Sequence, residues 1–359
     1  MKILHVITSL RTGGAEKLLV DLIPRFKQMG HTVDLLLLDG TPTPFKHDAE
    51  KAGITIHHLG IGGSVYSPLK LLKLLKYLPE YDVVHTHNYA PQLFAAIGSM
   101  LCSVVLCTTE HNTSNRRRNW KWFKPIDKWM YSRYKKIISI SPKTQELLQE
   151  HIKATSSDRF ITIYNGIDSS HFKSAIPANL HKEDFNCRIA IIQVAGFRHQ
   201  KDQDTTIKAL KYLSDDIHLF LVGDGIRRPE LEKLTKEEHL ESRVHFLGIR
   251  SDVAELLKSA NIAVISSHWE GFGLAAVEAM AAGTPVIASD VDGLREVVDG
   301  AGILFPDGDS KTLAKEIMKL EGDPELYEKT AIACHERVMQ FDISKMVEGY
   351  MKIYSQVIE

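Results

Sequence analysis

Residues 268–280 read HWEGFGLAAVEAM and hold two carboxylates, Glu270 and Glu278, eight positions apart in an otherwise apolar stretch. Paired carboxylates can divide acid and base roles at a sugar carbon when roughly 5–9.5 Å apart. Eight helical residues advance about 12 Å, so separate roles suit this spacing better than a coupled pair. Glu270 precedes the turn Gly271-Phe272-Gly273 and can accept from sugar hydroxyls. Glu278 falls two turns into a helix that starts at Leu274 and is stopped by Gly283 and Pro285. It can accept hydrogen bonds from a ribose diol, or it can be a solvated helix residue. Its neighbours Ala275, Ala276, Val277, Ala279 and Met280 favour a buried carboxylate with a partner. A glycine turn opening a helix lets a ligand approach the backbone and offers it free N–H groups and the positive dipole end. Phosphate suits such a place.

These residues need a scaffold, and the hydrophobic pattern supplies one. Short β-branched or leucine-rich runs lie at 2–8, 32–38, 54–59, 83–87, 104–109 and 136–140. A second series lies at 188–195, 217–223, 244–247, 262–266 and 285–288, and helical patterns alternate with both. Near-continuous apolar strands between helices predict parallel sheets covered on both faces. The polar stretch 165–187 reads as the connection between two doubly wound α/β domains. The expected division is an amino-terminal domain 1–170, a carboxy-terminal domain 171–340, and a last helix 341–359 returning to the first domain. Ligands of such sheets sit beyond the carboxyl ends of the strands, so the expected site is a cleft that the two domains face.

Bulk properties remove several function classes. The 359 residues exceed the usual size of one core. A net charge of −1 gives no general attraction to nucleic acid. The four cysteines show no CxxC spacing and fit a reducing cytoplasm. The start MKILHVITSLRTGGAEK does not read as a signal peptide, and no apolar run approaches the roughly 18 residues of a membrane helix. No GxGxxG follows a strand, which disfavours a dinucleotide-dependent dehydrogenase.

The stretch EGFGLAAVEAMAAGTPVIASDVDGLREVV, with Glu270 and Glu278 as its E-x7-E pair, resembles the signature of the retaining glycosyltransferases of family 4. TGGAEKLLVDLIPRFKQMGHTVDLL, VVHTHN, TTEHN, IYNGID, QKD and LVGDG resemble further segments of that family, so the resemblance covers nearly the whole chain. It implies the GT-B fold, a nucleotide-sugar donor and front-face attack, the leaving phosphate oxygen helping to take the acceptor proton. By resemblance, Gly13 and Gly14 approach the donor. The residues agree, because Thr12-Gly13-Gly14 follows the first strand and opens a helix. His111 matches a histidine near the transferred sugar, and His87 an acceptor-side position. Lys201 matches the diphosphate-binding lysine. The usual arginine, five positions before Lys201, is Gly196 here, and Arg198 in the same loop takes its place. With the helix start, Arg198 and Lys201 would offset the charge on a departing diphosphate. Gly223 of GDG, and the backbone of Ile249 and Arg250 after FLG, are expected near the nucleotide.

Asp290-Val291-Asp292 and Asp307-Gly308-Asp309 have the Asp-x-Asp form of metal-dependent transferases, but both lie in turn-like stretches where aspartate is common. The expectation is no metal and no cofactor. Residues 116–136, RRRNWKWFKPIDKWMYSRYKK, carry nine Lys or Arg, six aromatics and one acid, Asp127. Phe123, Ile126, Met130 and Tyr134 share a helical face, and Trp120, Trp122 and Trp129 lie off it. A basic, tryptophan-rich helix suits a membrane surface bearing a lipid-linked acceptor, or is an ordinary helix with a charged outer face. No nucleic-acid motif accompanies it.

The sequence is therefore read as a cytoplasmic, metal-independent retaining hexosyltransferase, peripheral on the inner face of the cell membrane. It would use a UDP-sugar in preference to a GDP-sugar, and a glycan or lipid-linked acceptor, in bacterial surface polysaccharide (capsule) synthesis. Two alternatives stand: a GT-B nucleotide-sugar epimerase, which would need an acid/base constellation on the sugar ring, and a non-catalytic nucleotide-sugar binding protein.

Overall fold

The computed structural model describes residues 1–11, 13–113, 120, 122–154, 157–178, 180 and 187–359. Among these residues thirteen strands form, eleven of them at the apolar runs. Seven make the first sheet: β1 (Lys2–Ile7), β2 (Thr32–Leu37), β3 (Thr55–His58), β4 (Val83–His87), β5 (Leu106–Glu110), β6 (Lys136–Ser139) and β7 (Phe160–Thr162). Six make the second: β8 (Ile189–Val194), β9 (Ile217–Val222), β10 (Val244–Gly248), β11 (Ile262–Ile265), β12 (Val286–Ser289) and β13 (Ile303–Phe305). The orders are β3-β2-β1-β4-β5-β6-β7 and β10-β9-β8-β11-β12-β13. The pairings between neighbours are parallel.

Helices on both faces explain the continuous apolar runs: β4, β5, β9, β11 and β12 are buried along their whole length. In β1, Ile3 and Ile7 enter the core on one face while Leu4 and Val6 enter the core on the other. The sequence pattern does not reveal β7 and β13. Each has three residues, is partly exposed and closes one sheet edge, so neither builds an apolar run long enough to read.

The chain divides into two compact units, Met1–Gly166 with Ile343–Glu359, and Ile167–Asp342. The helix Ile343–Ile358 belongs to the first unit. Its Met346, Val347, Tyr350, Ile353 and Tyr354 enter the same core as Phe26 and Leu22 of the helix Gly14–Gln28. Each such side chain contributes roughly 1.5–3 kcal/mol by burial. Within the stretch 165–187 lies a helix, Ser169–Ser174, capped by Asp168, and this helix belongs to the second unit.

Part of the basic stretch lies outside the described residues, namely Arg116, Arg117, Arg118, Asn119 and Lys121. The rest corrects the expected face. Ile126 is exposed, whereas Asp127, Met130 and Tyr131 of the helix Phe123–Ser132 are buried, with Tyr134 just beyond. Asp127 turns inward because its Oδ2 meets His151 Nε2 at 2.8 Å. A buried carboxylate requires a partner, and that requirement sets the rotation of the helix.

Candidate active site

In each sheet the strand order reverses between two neighbours, β1 and β4 in the first, β8 and β11 in the second. Such a reversal leaves a crevice beyond the carboxyl ends of those strands. In the second unit, the loop after β8 carries Arg198 and Lys201, and the loop after β11 carries Glu270. They are stitched together: His268 N–H donates to Gln200 O at 2.9 Å, and Gln200 Nε2 to Trp269 O at 2.8 Å. Beneath them Gln193 Nε2 donates to Lys201 O at 2.9 Å and to Ser266 Oγ at 2.9 Å. Ser266 Oγ donates in turn to Asp202 O at 2.6 Å. This frame brings Lys201 Nζ onto Glu270 Oε1 as a hydrogen-bonded ion pair. Ser267 Oγ donates to the same oxygen at 3.0 Å.

Arg198 is exposed, and its guanidinium has no ion-pair partner among the described residues. A Cβ built at Gly196 would lie 3.8 Å from Arg198 Nε, so the Arg198 side chain stands over the position that lacks an arginine.

The glycine turn opens the helix Leu274–Ala282 as its spacing predicts. Gly273 sits at φ 91°, no side chain caps the helix, and Gly283 ends it at φ 87°. A side chain at Gly293 (φ 83°) would meet Glu270 O at 2.5 Å, so that glycine admits the loop carrying Glu270. Phe272 is buried, leaving its backbone for a ligand. Glu278 is only half-buried, which corrects the expectation of an enclosed carboxylate. The reason is its place on the helix: Ala276, Val277, Ala279 and Met280 face the core and position 278 lies beside them. Gly223 and Gly225 have a packing role, since a Cβ at either would meet the carbonyl oxygen of Ala195 or Phe197 at 2.1 or 2.4 Å. Gly223 N–H also donates to Gly248 O at 2.8 Å. Beyond Gly248, Ile249 is 74% exposed, and Arg250 forms a surface pair with Asp252.

The Asp-x-Asp pairs divide. Asp290 and Asp292 pair with Arg295, and Asp309 caps the helix Ser310–Gly322 by accepting from Lys311 N–H and Thr312 N–H. Asp307 joins Asp202 and His268 in a group whose ligand atoms lie within 4.8 Å of one another, close enough to hold a metal ion. His268 Nδ1 already sits 2.8 Å from Asp307 Oδ1.

In the first unit Gly13 (φ −174°) is the N-cap of the helix Gly14–Gln28, again with no side-chain cap. Thr12 lies outside the described residues. His87 ends β4 and His111 follows β5 by one residue. They are joined, His87 Nδ1 to His111 Nε2, at 2.9 Å. His87 is 1% exposed, and its Nε2 lies 3.0 Å from His5 Nδ1. Both its nitrogens are thus used inside the protein, and its bond to His111 is the one that leads toward the strand edge. Burial lowers the His111 imidazole to about 4, which makes it neutral at neutral pH.

Comparison with known proteins shows the family and the fold. Residues 12–171 match the family described as Glycosyltransferase Family 4, and residues 179–336 the family Glycosyl transferases group 1. An uncharacterized glycosyltransferase of Methanocaldococcus jannaschii is 30% identical over 77% of this chain and 76% of its own. The chain belongs to the family 4, group 1 glycosyltransferases. A galactosyltransferase of Escherichia coli, named UDP-Gal:alpha-D-GlcNAc-diphosphoundecaprenol alpha-1,3-galactosyltransferase, is 24% identical over 100% of this chain and 97% of its own. The crystal structure of Anabaena HepE in complex with UDP-glucose superposes with a TM-score of 0.88, covering 99% of this chain and 100% of that one at 23% identity. The fold of this glycosyltransferase is thus GT-B.

Within the glycosyltransferase the structure adds residues that sequence reasoning missed. Ser267 and His268 shortly precede Glu270, and the His199 ring lies tilted against His268 at 5.1 Å between centroids. No local pattern marks them. The histidines of the first unit did leave a signal: His85, His87 and Thr109, His111 recur with period two at the ends of adjacent strands, which places them on one sheet face.

Proposed function

We propose that this glycosyltransferase moves a sugar from a nucleotide-sugar donor, a UDP-sugar in preference to a GDP-sugar, to a glycan or lipid-linked glycan, with retention and without a metal ion. The observation that carries it is the Lys201–Glu270 pair, held at the point of strand reversal beside an uncompensated Arg198. Lys201 and Arg198 supply cationic donors for a departing diphosphate, and the uncapped start of the helix Leu274–Ala282 supplies backbone dipoles. Glu270 takes sugar hydroxyls, Glu278 the ribose, and the backbone at Gly223, Ile249 and Arg250 the nucleotide. Gly13, Gly14 and His111 serve the sugar and the acceptor. Cations in these places relieve the need for a metal, and the engagement of Glu270 by Lys201 and Ser267 supports attack from the side of the leaving group rather than through a covalent intermediate. The E. coli protein's named donor and acceptor, UDP-Gal and a diphosphoundecaprenol-linked sugar, and the UDP-glucose bound by the Anabaena protein support a uridine donor and a polyprenol-linked acceptor, as surface polysaccharide synthesis would use.

The reading extends to the inner face of the cell membrane. Trp120 and Trp122 are 54% and 65% exposed in the basic stretch, which suits an anionic bilayer. Among the described residues no helix is long and apolar enough to cross one.

The test is a panel of nucleotide sugars added to purified protein with and without EDTA, following melting temperature and nucleoside diphosphate release. One UDP-sugar is expected to stabilise the protein and to be turned over with an added polyprenol-diphosphate glycan, equally in EDTA. Loss of turnover in EDTA would move the function to the Asp202–His268–Asp307 group. Stabilisation without turnover would favour a binding protein.

A further inference from the structure

Four imidazoles lie on one face of the first sheet: His5 of β1, His85 and His87 of β4, and His111 past β5. Their rings lie close together, His5 stacked on His85 at 5.2 Å, His85 stacked on His87 at 4.6 Å, and His111 tilted against His87 at 5.2 Å between centroids. The helices Gly14–Gln28 and Ile343–Ile358 cover this face, with Phe26 stacked on His5 at 6.0 Å and Tyr354 against it edge-on. His85 acts as a strut, its Nδ1 2.7 Å from Tyr354 Oη and its Nε2 2.8 Å from Thr109 Oγ1. Thr109 Oγ1 lies 2.8 Å from Tyr350 Oη. The other three form a chain: His5 Nδ1 to His87 Nε2 at 3.0 Å, then His87 Nδ1 to His111 Nε2 at 2.9 Å.

A neutral imidazole carries one N–H and one bare nitrogen. Rings joined nitrogen to nitrogen must therefore all point their N–H groups the same way along the chain. If donation began at His111, the far end would place an N–H on His5 Nε2, which is buried and has no partner among the described residues. The opposite order leaves only a bare nitrogen there, and buried orphan N–H groups are the rarer defect. Burial also holds these rings uncharged, with His5 lowered to about 3 and His111 to about 4. Among the described residues no carboxylate, lysine or arginine is bonded to any of the four rings, and Tyr350, Tyr354 and Cys107 are the other titratable groups packed on this face.

We propose that His5, His87 and His111 form an ordered hydrogen-bond relay running from the buried centre of the sheet to its carboxyl edge. In it His5 and His87 are positioning residues that fix His111 as the Nδ1–H tautomer. His111 Nε2 is consumed by the relay, so His111 meets the transferred sugar as a neutral donor through Nδ1–H. This consequence rests on the assignment of His111 to the sugar; the relay itself does not.

The test uses the full-length protein labelled with 15N-histidine, reading ring tautomers from couplings between ring nitrogens and ring CH protons. His111→Gln assigns the His111 signals. The expected spectrum shows Nδ1 protonated in His5, His87 and His111. His5→Phe keeps a stacked ring but removes the first donor. It is expected to convert His111 to a mixture of tautomers and to lower kcat by about tenfold, the worth of one orienting hydrogen bond. KM for the UDP-sugar should stay within about twofold, because substrate contacts are untouched. His5→Asn, whose amide NH2 can replace Nδ1–H, is expected to restore both tautomer and kcat, and it separates the relay from a folding defect. An Nε2–H tautomer at His111 in the unaltered protein would overturn the proposal, as would a folded His5→Phe protein with the His111 tautomer unchanged. If His111→Gln turns over normally, His111 has no role at the sugar, while the tautomer measurement still decides the relay.

Discussion

Lys201 and Glu270 occupy each other. A diphosphate bound by Lys201 must compete with a carboxylate already hydrogen-bonded to the ammonium. The pair is part-exposed, its side chains 24% and 11% accessible, so the attraction is moderated by solvent. The two residues should therefore separate in a binding experiment. Lys201→Ala is expected to weaken UDP by about 10- to 100-fold, the range of one charge-assisted bond, and to leave uridine unchanged. Glu270→Gln is expected to hold or tighten UDP, because a competing charge is gone, while turnover falls by about 100-fold or more through loss of the contact to the sugar. Calorimetry with UDP and uridine, beside a release assay, reads all four numbers. Equal weakening of UDP and uridine in Lys201→Ala would take Lys201 off the phosphates.

At the scale of the element, the helix Phe123–Ser132 shows how one buried acid overrides an apolar stripe. Phe123, Ile126, Met130 and Tyr134 predict one inward face, yet the Asp127–His151 contact turns Ile126 outward. The turn before it leaves Trp120 and Trp122 stacked on each other at 5.9 Å and exposed. Exposed tryptophans among lysines and arginines partition into the headgroup region of an anionic bilayer. Replacing Trp120 and Trp122 by serine is expected to reduce sedimentation with phosphatidylglycerol vesicles by about tenfold, with no change in melting temperature, since single-step partitioning of two indoles is worth a few kcal/mol at most. Undiminished vesicle binding would leave this helix an ordinary one with a charged outer face.

The whole molecule carries an acid-sensitive element in each unit. Burial lowers His5 to about 3 and His111 to about 4 in the first unit, with His85 and His87 also well below the ordinary value. In the second unit burial lowers His245 to about 4, and His218 Nδ1 lies 3.0 Å from its Nε2. These groups are neutral when folded and gain protons readily when unfolded, near pH 6.5. Between about 6.5 and 4 the unfolded chain therefore binds more protons, and stability falls as pH falls through that window. Above it neither state is charged at these sites and the dependence vanishes. The expected outcome is a melting temperature flat from pH 8 to 7 and declining steadily from 6.5 to 5, before most carboxylates titrate. A flat profile down to pH 5 would mean that these histidines are hydrated rather than buried.

Elements and turns of this chain are encoded locally, whereas the pairing of its functional side chains is not. Period-two and continuous apolar runs, glycine turns and helix stops are local signals, and they sufficed for the parallel α/β class, for the helix opened at Gly273 and for the loops bearing Lys201, Glu270 and His111. Contacts between those loops depend on strand order, which no local signal encodes. Lys201 meets Glu270 across 69 residues because β8 and β11 are neighbours while β9 and β10 lie on the other side. His5 meets His87 across 82 residues because β4 returns to lie against β1. The tyrosines that complete the histidine face arrive from the helix Ile343–Ile358, with Tyr354 lying 269 positions beyond His85. Side-chain type and turn chemistry are written along the chain. Partnership is written in the order of the strands, fixed only when the apolar faces find their covers and the sheet closes.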